Sequence, residues 1–309
     1  LLCNNIIRKG NAVKMDGVIL INKDKGCTSH DVVSKVKHLL NKKVGHTGTL
    51  DPNATGLLPI LVGQGTKLSY YFINHDKEYE VTLKLGIKTD TADAEGNTIV
   101  EQNVDKKVLD KAEIEKMLSS FVGKQKQVPP MYSAIKVNGK KLYEYARKNI
   151  NVEIQPREIE VYTIKLNEIN VEKNEIRFVV ECSKGTYIRS LCEDIAEKLG
   201  TVGYMKELNR TKVGVFDIKD SIKIEELEQN KEDREFLRQH IISVEDLFVK
   251  LYGETNKVTL NRKKLEYFLN GVRLTYNLAD GEYRVYDEEE NFIGTGSLRN
   301  NLLKREIVV

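Results

Sequence analysis

From Asn41 to Gly56 the chain reads NKKVGHTGTLDPNATG, three glycines and a proline among small polar residues, and no helical or strand period survives the stretch. Any fold must leave it as a long loop, and long loops kept inside compact domains usually carry function. Its flanks are regular. Upstream, GVILINK (17–23) is a β-branched apolar run that reads as a buried strand. A helix follows, with Ser29 as the expected N-cap and Val32, Val33, Val36, Leu39 and Leu40 recurring on one face. Downstream, GLLPILVG reads as an apolar strand and TKLSYYFI as a short helix.

Beyond this point strands dominate. KEYEVTLKLG (77–86) alternates like a half-buried strand, and TDTADAEGN is a turn-rich connection. Residues 106–121 carry apolar residues at helical spacing, and two strand-like runs between Ile159 and Cys182 are separated by EKNE. YIRSLCEDIAEKL (187–199) reads as an amphipathic helix and TKVGVFDI as a further strand. Asp220 to Glu235 is acidic and poor in large apolar residues, which predicts an interdomain connection in or beside it. A short helix (LNRKKLEYFLNG), a hairpin (YRVYDEEENFIGTGSL) and the strand REIVV complete a small β-rich module. Single cores rarely grow beyond ~250–300 residues, so 309 residues predict two domains.

Several function classes are excluded. No run approaches the ~18–20 apolar residues of a membrane span, and the N-terminal residues lack the features of a secretory signal, which predicts a soluble, cytoplasmic protein. Cys3, Cys27, Cys182 and Cys192 have no CxxC spacing, and the five histidines form no HExxH, so neither a disulfide framework nor a metal site is expected. GQGTK (63–67) lacks the spacer of a phosphate loop, and TDTADAEG places no carboxylate at the first or twelfth position of a calcium loop. The net charge of +3 is small, but residues 121–150 hold seven Lys/Arg against the single acid Glu144, interleaved with Tyr132, Tyr143 and Tyr145. Positive charge beside stacking surface suits a polyanion with exposed bases, and a solvated lysine-rich face suits the composition equally.

Within the long loop, GHTGTLDP (45–52) sets Asp51 before a proline and among small residues, where a bulky substrate can approach its carboxylate. An Asx-turn residue would look the same. A lone carboxylate is a poor match to hydrolytic glycosidases, which use two, and suits a nucleophile better.

GHTGTLDPNATGLLPI resembles the catalytic motif of TruB-type synthases, the enzymes that make pseudouridine at position 55 in the tRNA T loop. GVILINKDKGCTSHDVV, KEYEVTLKLGIKTDTADAEG, PPMYSAIKVNGKKLYEYAR and CSKGTYIRSL resemble further segments of that family, in the family's order, from about Met15 to the C-terminus. The resemblance implies an α+β fold: a mixed, largely antiparallel sheet core with flanking helices over 15–243, then a β-rich PUA-like RNA-binding domain over 244–309, with 1–14 a tail of uncertain origin. It implies Asp51 as nucleophile, Tyr79 as the active-site tyrosine and Arg189 as the cation paired with the nucleophile. His46 is placed in the T loop, Tyr187 and Leu208 in the substrate pocket, and Lys23 at a basic position near the active site. Lys136, Lys140, Lys141, Arg147 and Lys148 are the candidate RNA-binding cations.

The implied chemistry needs neither metal nor cofactor, and the implied partner is the T stem-loop of tRNA, with no obligate protein partner. Asp51 must stay ionised in a pocket that excludes water, a task that suits the planar two-point grip of Arg189. Two other readings compete: a guide-dependent synthase of the dyskerin type, and an RNA-binding or RNA-folding protein without catalysis.

Overall fold

The computed structural model describes residues 16–69, 75–148, 150 and 152–309. The expected tail 1–14, Cys3 and the later residues of TKLSYYFI lie outside them. A large sheet is assembled from strands far apart in sequence. Strand β1 (Gly17–Lys23) leads to helix α1 (Ser29–Leu40), a short β2 (Val44–His46), the long loop, and β3 (Thr55–Val62). After β4 (Lys77–Leu85) come a small hairpin, β5 (Ile87–Thr89) with β6 (Thr98–Glu101), then α2 (Lys111–Ser119) and β7 (Gly123–Gln127). A second small hairpin, β8 (Lys136–Val137) with β9 (Lys140–Lys141), and the one-turn α3 (Leu142–Ala146) precede the long strands β10 (Arg157–Asn170) and β11 (Glu175–Cys182). Helix α4 (Ile188–Lys198), β12 (Gly203–Val213), β13 (Phe216–Asp217), α5 (Ile224–Gln229), α6 (Arg234–His240) and β14 (Ile241–Ser243) complete this part.

The strand order is β14-β1-β3-β12-β4-β11-β10-β7, with β2 on β3 and β13 on β12. Every pairing is antiparallel except β3 with β12, which are parallel and share only Asn209↔Thr55 and Arg210↔Gly56. Burial on β4 and β11 alternates, because one face is covered by helices while the other meets solvent. On the covered face, Ile19, Ile60, Val81, Leu83, Phe178 and Val180 pack with α1, α2 and α4 in one core. Under β1 and β3 the reverse face is covered as well. Val18, Leu20, Leu57 and Leu61 meet Val244, Leu247 and Phe248 of helix α7 (Val244–Tyr252), together with Ile307 near the C-terminus. The remaining module is a five-stranded sheet in the order β15-β17-β18-β19-β16, made of β15 (Lys257–Thr259), β16 (Leu274–Thr275), β17 (Gly281–Tyr286), β18 (Phe292–Arg299) and β19 (Leu302–Val308), with helix α8 (Arg262–Leu269) against it.

Several local expectations are corrected. The N-cap of α1 is Thr28, not Ser29: the Thr28 hydroxyl accepts from Asp31 N at 3.1 Å, and Thr28 N donates to the Asp31 carboxylate at 2.8 Å, a reciprocal box. Ser29 is buried instead against the long loop. The helical pattern over 106–121 breaks at Asp110, which caps α2 after a separate 3-10 turn, Lys106–Leu109. TKVGVFDI is not a separate strand but the end of β12, a turn at Gly214 and β13. The acidic stretch 220–235 is no linker: Ile222 and Leu227 lie in the main core, and Ile222 N donates to Leu20 O at 3.0 Å. Its charge marks only the outer side of α5, where Glu228 meets Lys35 of α1.

Gly56 is required at the β3–β12 contact. Its φ of +106° disfavours any side chain, and a Cβ there would lie 2.3 Å from Arg210 O and 2.6 Å from Arg210 N, backbone atoms that cannot swing aside. Gly56→Ala is therefore expected to cost about 2–4 kcal/mol of stability, read as a lowered midpoint in urea or thermal unfolding.

Candidate active site

The loop carrying Asp51 is fastened on both sides of that residue. Leu50 N donates to the Ser29 hydroxyl at 2.8 Å, and the same hydroxyl donates to Leu50 O at 3.0 Å. On the other side the Pro52 carbonyl accepts from Gly26 N and from Lys23 Nζ, both at 3.0 Å. Lys23 also donates to the carbonyls of Asp24 at 2.9 Å and Cys27 at 2.7 Å, and is 1 % exposed. Its ammonium thus has three backbone acceptors and no open face. Burial holds its pKa below the usual lysine range, against the opposing pull of Cys27, Asp24 and Asp51. Lys23 thus stands beside the loop that presents Asp51 and braces it through the Pro52 carbonyl.

Asp51 keeps 39 % of its side chain open to solvent, so the free site does not exclude water as the sequence reading expected. Its Oδ2 lies 3.2 Å from Nε of Arg189, in the first turn of α4. The predicted two-point grip is absent. Nη1 of Arg189 faces Asp93 Oδ2 at 3.5 Å and donates to Thr91 O at 3.2 Å, while Nη2 donates to Tyr132 O at 2.8 Å. One guanidinium, 8 % exposed, thereby joins the Asp51 loop, the β5–β6 turn and the approach to the basic β8–β9 hairpin.

Asp93 was missed by sequence reasoning, although TDTADAEG contains it. In that turn the Thr91 hydroxyl donates to Asp93 Oδ1 at 2.5 Å, Glu95 N donates to the same oxygen at 3.0 Å, and the Thr89 hydroxyl donates to Asp93 O at 2.7 Å. The Thr and Asp spacing that fails as a calcium loop is a turn that aims one carboxylate at Arg189. Gln127 was missed too. Its side-chain amide accepts from Tyr187 N at 2.8 Å and donates to Tyr187 O at 3.0 Å, fixing the entry to α4 one turn before Arg189.

Tyr79 lies on β4 opposite Arg210 of β12, whose charge acts on its phenol. Burial pushes its phenol up to about 12, only partly offset by the Arg210 charge, so it is protonated at neutral pH. His46, at the end of β2, is half-buried and its Nδ1 accepts from Gly48 N at 3.2 Å. Burial first, then the Arg210 charge, lowers its pKa, leaving a neutral ring at pH 7 with its proton on Nε2. The Tyr187 ring and Leu208 are half-buried, Leu208 standing opposite Val81 of β4. Among the described residues no group of three or more His, Cys, Asp or Glu could hold a metal ion.

Residues 37–188 match the family described as TruB family pseudouridylate synthase (N terminal domain), 189–249 a tRNA pseudouridylate synthase B C-terminal domain, and 256–309 a pseudouridine synthase II TruB C-terminal region. The chain belongs to the TruB family of pseudouridylate synthases. The tRNA pseudouridine synthase B of Clostridium kluyveri is 45% identical over 289 residues, covering 91% of this chain and 95% of that protein. That of Hydrogenovibrio crunogenus is 42% identical over 285 residues, covering 92% and 89%. Among solved structures, a Cbf5-Nop10-Gar1 complex aligns with a TM-score of 0.67 at 25% identity over 96% of this chain and 84% of that one. The family's first two matched regions divide inside the first turn of α4, so Asp51 and Arg189 fall in different regions and the site exists only where they pack together.

Removing Arg189 leaves Asp93 buried without its cation and frees the Asp51 carboxylate to turn. Arg189→Met is expected to slow single-turnover conversion of tRNA by about 100-fold or more, and Arg189→Lys to recover only part, because an ammonium cannot serve four acceptors spread around a plane. Rates at saturating tRNA, measured with binding in parallel, check this.

Proposed function

We propose that this protein isomerises uridine to pseudouridine at position 55 in the T loop of tRNA, with Asp51 as the nucleophile. The carrying observation is the open Asp51 carboxylate held 3.2 Å from a buried arginine, in a member of this family. The reaction breaks the N1–C1′ bond, turns the uracil and joins C5 to C1′, so that C5 loses a proton and N1, which carried none in uridine, gains one. No electron or phosphate is transferred. Whether the carboxylate meets the sugar carbon or adds to the ring, it must be ionised and reach the nucleotide. Arg189 holds one oxygen of Asp51 in place, and the open side of Asp51 is where the nucleotide enters.

The target base must leave its stack, which costs a few kcal/mol. Tyr79 stacks on the extruded uracil, an interaction worth roughly 1–3 kcal/mol for a base on an aromatic ring. The neutral His46 ring fills the space left in the loop, while Tyr187 and Leu208 close the pocket. The tRNA itself covers Asp51 and supplies the exclusion of water that the free protein lacks. Lys136 and Lys140 project from the β8–β9 hairpin, and Tyr143 lies between Lys141 and Arg147, whose charged groups stand 5.4 and 5.3 Å from its ring centre. With the exposed Lys148 they form the surface we assign to the tRNA backbone. The C-terminal module, counted from 244, holds RNA away from the reacting base. Action on tRNA and the free Cys27, Cys182 and Cys192 support a cytoplasmic place of work.

A guide-dependent enzyme of the dyskerin type is the second reading, favoured by the fold likeness to the Cbf5 complex. The 45% identity to a tRNA pseudouridine synthase B outweighs it. Conversion of a bare tRNA transcript by the lone protein decides between them.

Asp51→Asn is expected to abolish pseudouridine formation in single-turnover assays while tRNA affinity stays within about threefold. Substantial residual turnover would remove Asp51 from the nucleophile role. Replacing Lys140 with Lys141, or Arg147 with Lys148, by alanine should weaken tRNA binding and reduce the slope of log affinity against log salt by roughly 1–2. An unchanged slope in both pairs would return the hairpin to a merely solvated surface.

A further inference from the structure

Arg210 is the largest fully buried side chain among the described residues, 2 % exposed, and its electrostatic partner is the Tyr79 phenol rather than a carboxylate. Nε donates to Leu57 O of β3 at 2.8 Å, Nη2 donates to Gly48 O of the long loop at 3.1 Å, and Arg210 stands opposite Tyr79 of β4, its register partner. These three partners come from three separate segments around the short parallel contact of β3 with β12. Register shifts in β12 on either side, between Met205 and Glu207 and between Arg210 and Lys212, set this residue's placement opposite Tyr79.

Donor arithmetic gives the contact a direction. A guanidinium carries five N–H donors and no acceptor, whereas a phenol has a single O–H and can accept as well. Any hydrogen bond between Arg210 and Tyr79 therefore has the phenol oxygen as acceptor, which leaves the phenol proton to point away from Arg210. The other groups acting on Tyr79 are the Cys182 thiol and the Asp51 carboxylate, while Lys77 lies one alternation earlier on the same face of β4, its Nζ donating to His75 O.

We propose that Arg210 is a positioning residue for the isomerisation: it fixes the Tyr79 ring as an acceptor toward the protein and a donor toward the nucleotide, and ties that ring to the Gly48 carbonyl of the loop that presents Asp51. The inference rests on the reading of Asp51 and Tyr79 as residues of the reacting site. Its basis is geometric, since a buried cation without an acidic partner is costly and is retained here by two carbonyls, directly opposite Tyr79 in the register of β4 and β12. Lysine is a poor replacement, because a compact ammonium does not match acceptors set around the planar fork of a guanidinium.

The test uses the full chain labelled at the tyrosine ζ carbon, with the Tyr79 signal assigned by its loss in Tyr79→Phe. Arg210→Gln is expected to shift that signal at neutral pH and to lower the single-turnover rate at saturating tRNA by about tenfold or more, with tRNA affinity within about threefold. Arg210→Lys, which keeps the charge, should recover the rate only in part and leave the signal displaced. A folded Arg210→Gln protein with an unmoved Tyr79 signal overturns the proposal, as does a wild-type rate. If Arg210→Gln fails to fold, Arg210→Lys decides alone, and a wild-type signal and rate in that variant overturn it. Asp51→Asn separates the two readings: full activity there removes the underlying site assignment, whereas inactivity there with a wild-type rate in Arg210→Gln removes this inference only.

Discussion

The guanidinium of Arg189 meets two carboxylates and two backbone carbonyls with almost no access to solvent, and the geometry of the site depends on that sharing. A buried cation must have its donors satisfied, so each acceptor is fixed as firmly as the arginine itself. Thr91 and Asp93 are held by a turn that hydrogen-bonds to itself, and Tyr132 begins the segment leading to the basic hairpin. Of the two carboxylates Asp51 is the more open, 39 % exposed against 12 % for Asp93.

This arrangement needs a scaffold that brings four distant stretches of chain to one place. The large sheet provides it through its single parallel contact, where β3 and β12 share only two residue pairs. On one side of that contact the chain of β3 leads back to the Asp51 loop, and on the other β4 carries Tyr79. Gly56 permits the close approach of the two backbones, and Arg210 fills the space beneath with a cation that binds all three segments. The two arginines divide the work, Arg189 acting on the carboxylate and Arg210 on the aromatic ring and the loop's far end.

The braces around Asp51 are local in sequence and distant in effect. Ser29, expected as a helix cap, gives that task to Thr28 and clamps Leu50, while Lys23 takes the carbonyl of Pro52. Both residues precede their partners on the loop by 21 and 29 positions, and both belong to the segment GVILINKDKGCTSHDVV. The side chains of that segment hold GHTGTLDP in place: Lys23 donates to Pro52 O, and the Ser29 hydroxyl both accepts from Leu50 N and donates to Leu50 O.

By itself the sequence determined the order of strands and helices, the long loop and the residue on it able to act as a nucleophile. These follow from apolar spacing, from glycine and proline, and from long motifs whose resemblance named Asp51, Tyr79 and Arg189 together. It misplaced the stretch 220–235, because composition reports the solvent face of a helix and says nothing of Ile222 and Leu227 on the inner one. It passed over Asp93, Gln127 and Arg210, each an ordinary polar residue in its own neighbourhood. What they do is set by partners 60 to 162 positions away, through contacts in which donor direction and burial decide the role. Spacing along a chain carries the period of local structure, whereas the sharing of one buried cation among several loops comes into being only when the sheet closes and water is removed from around it.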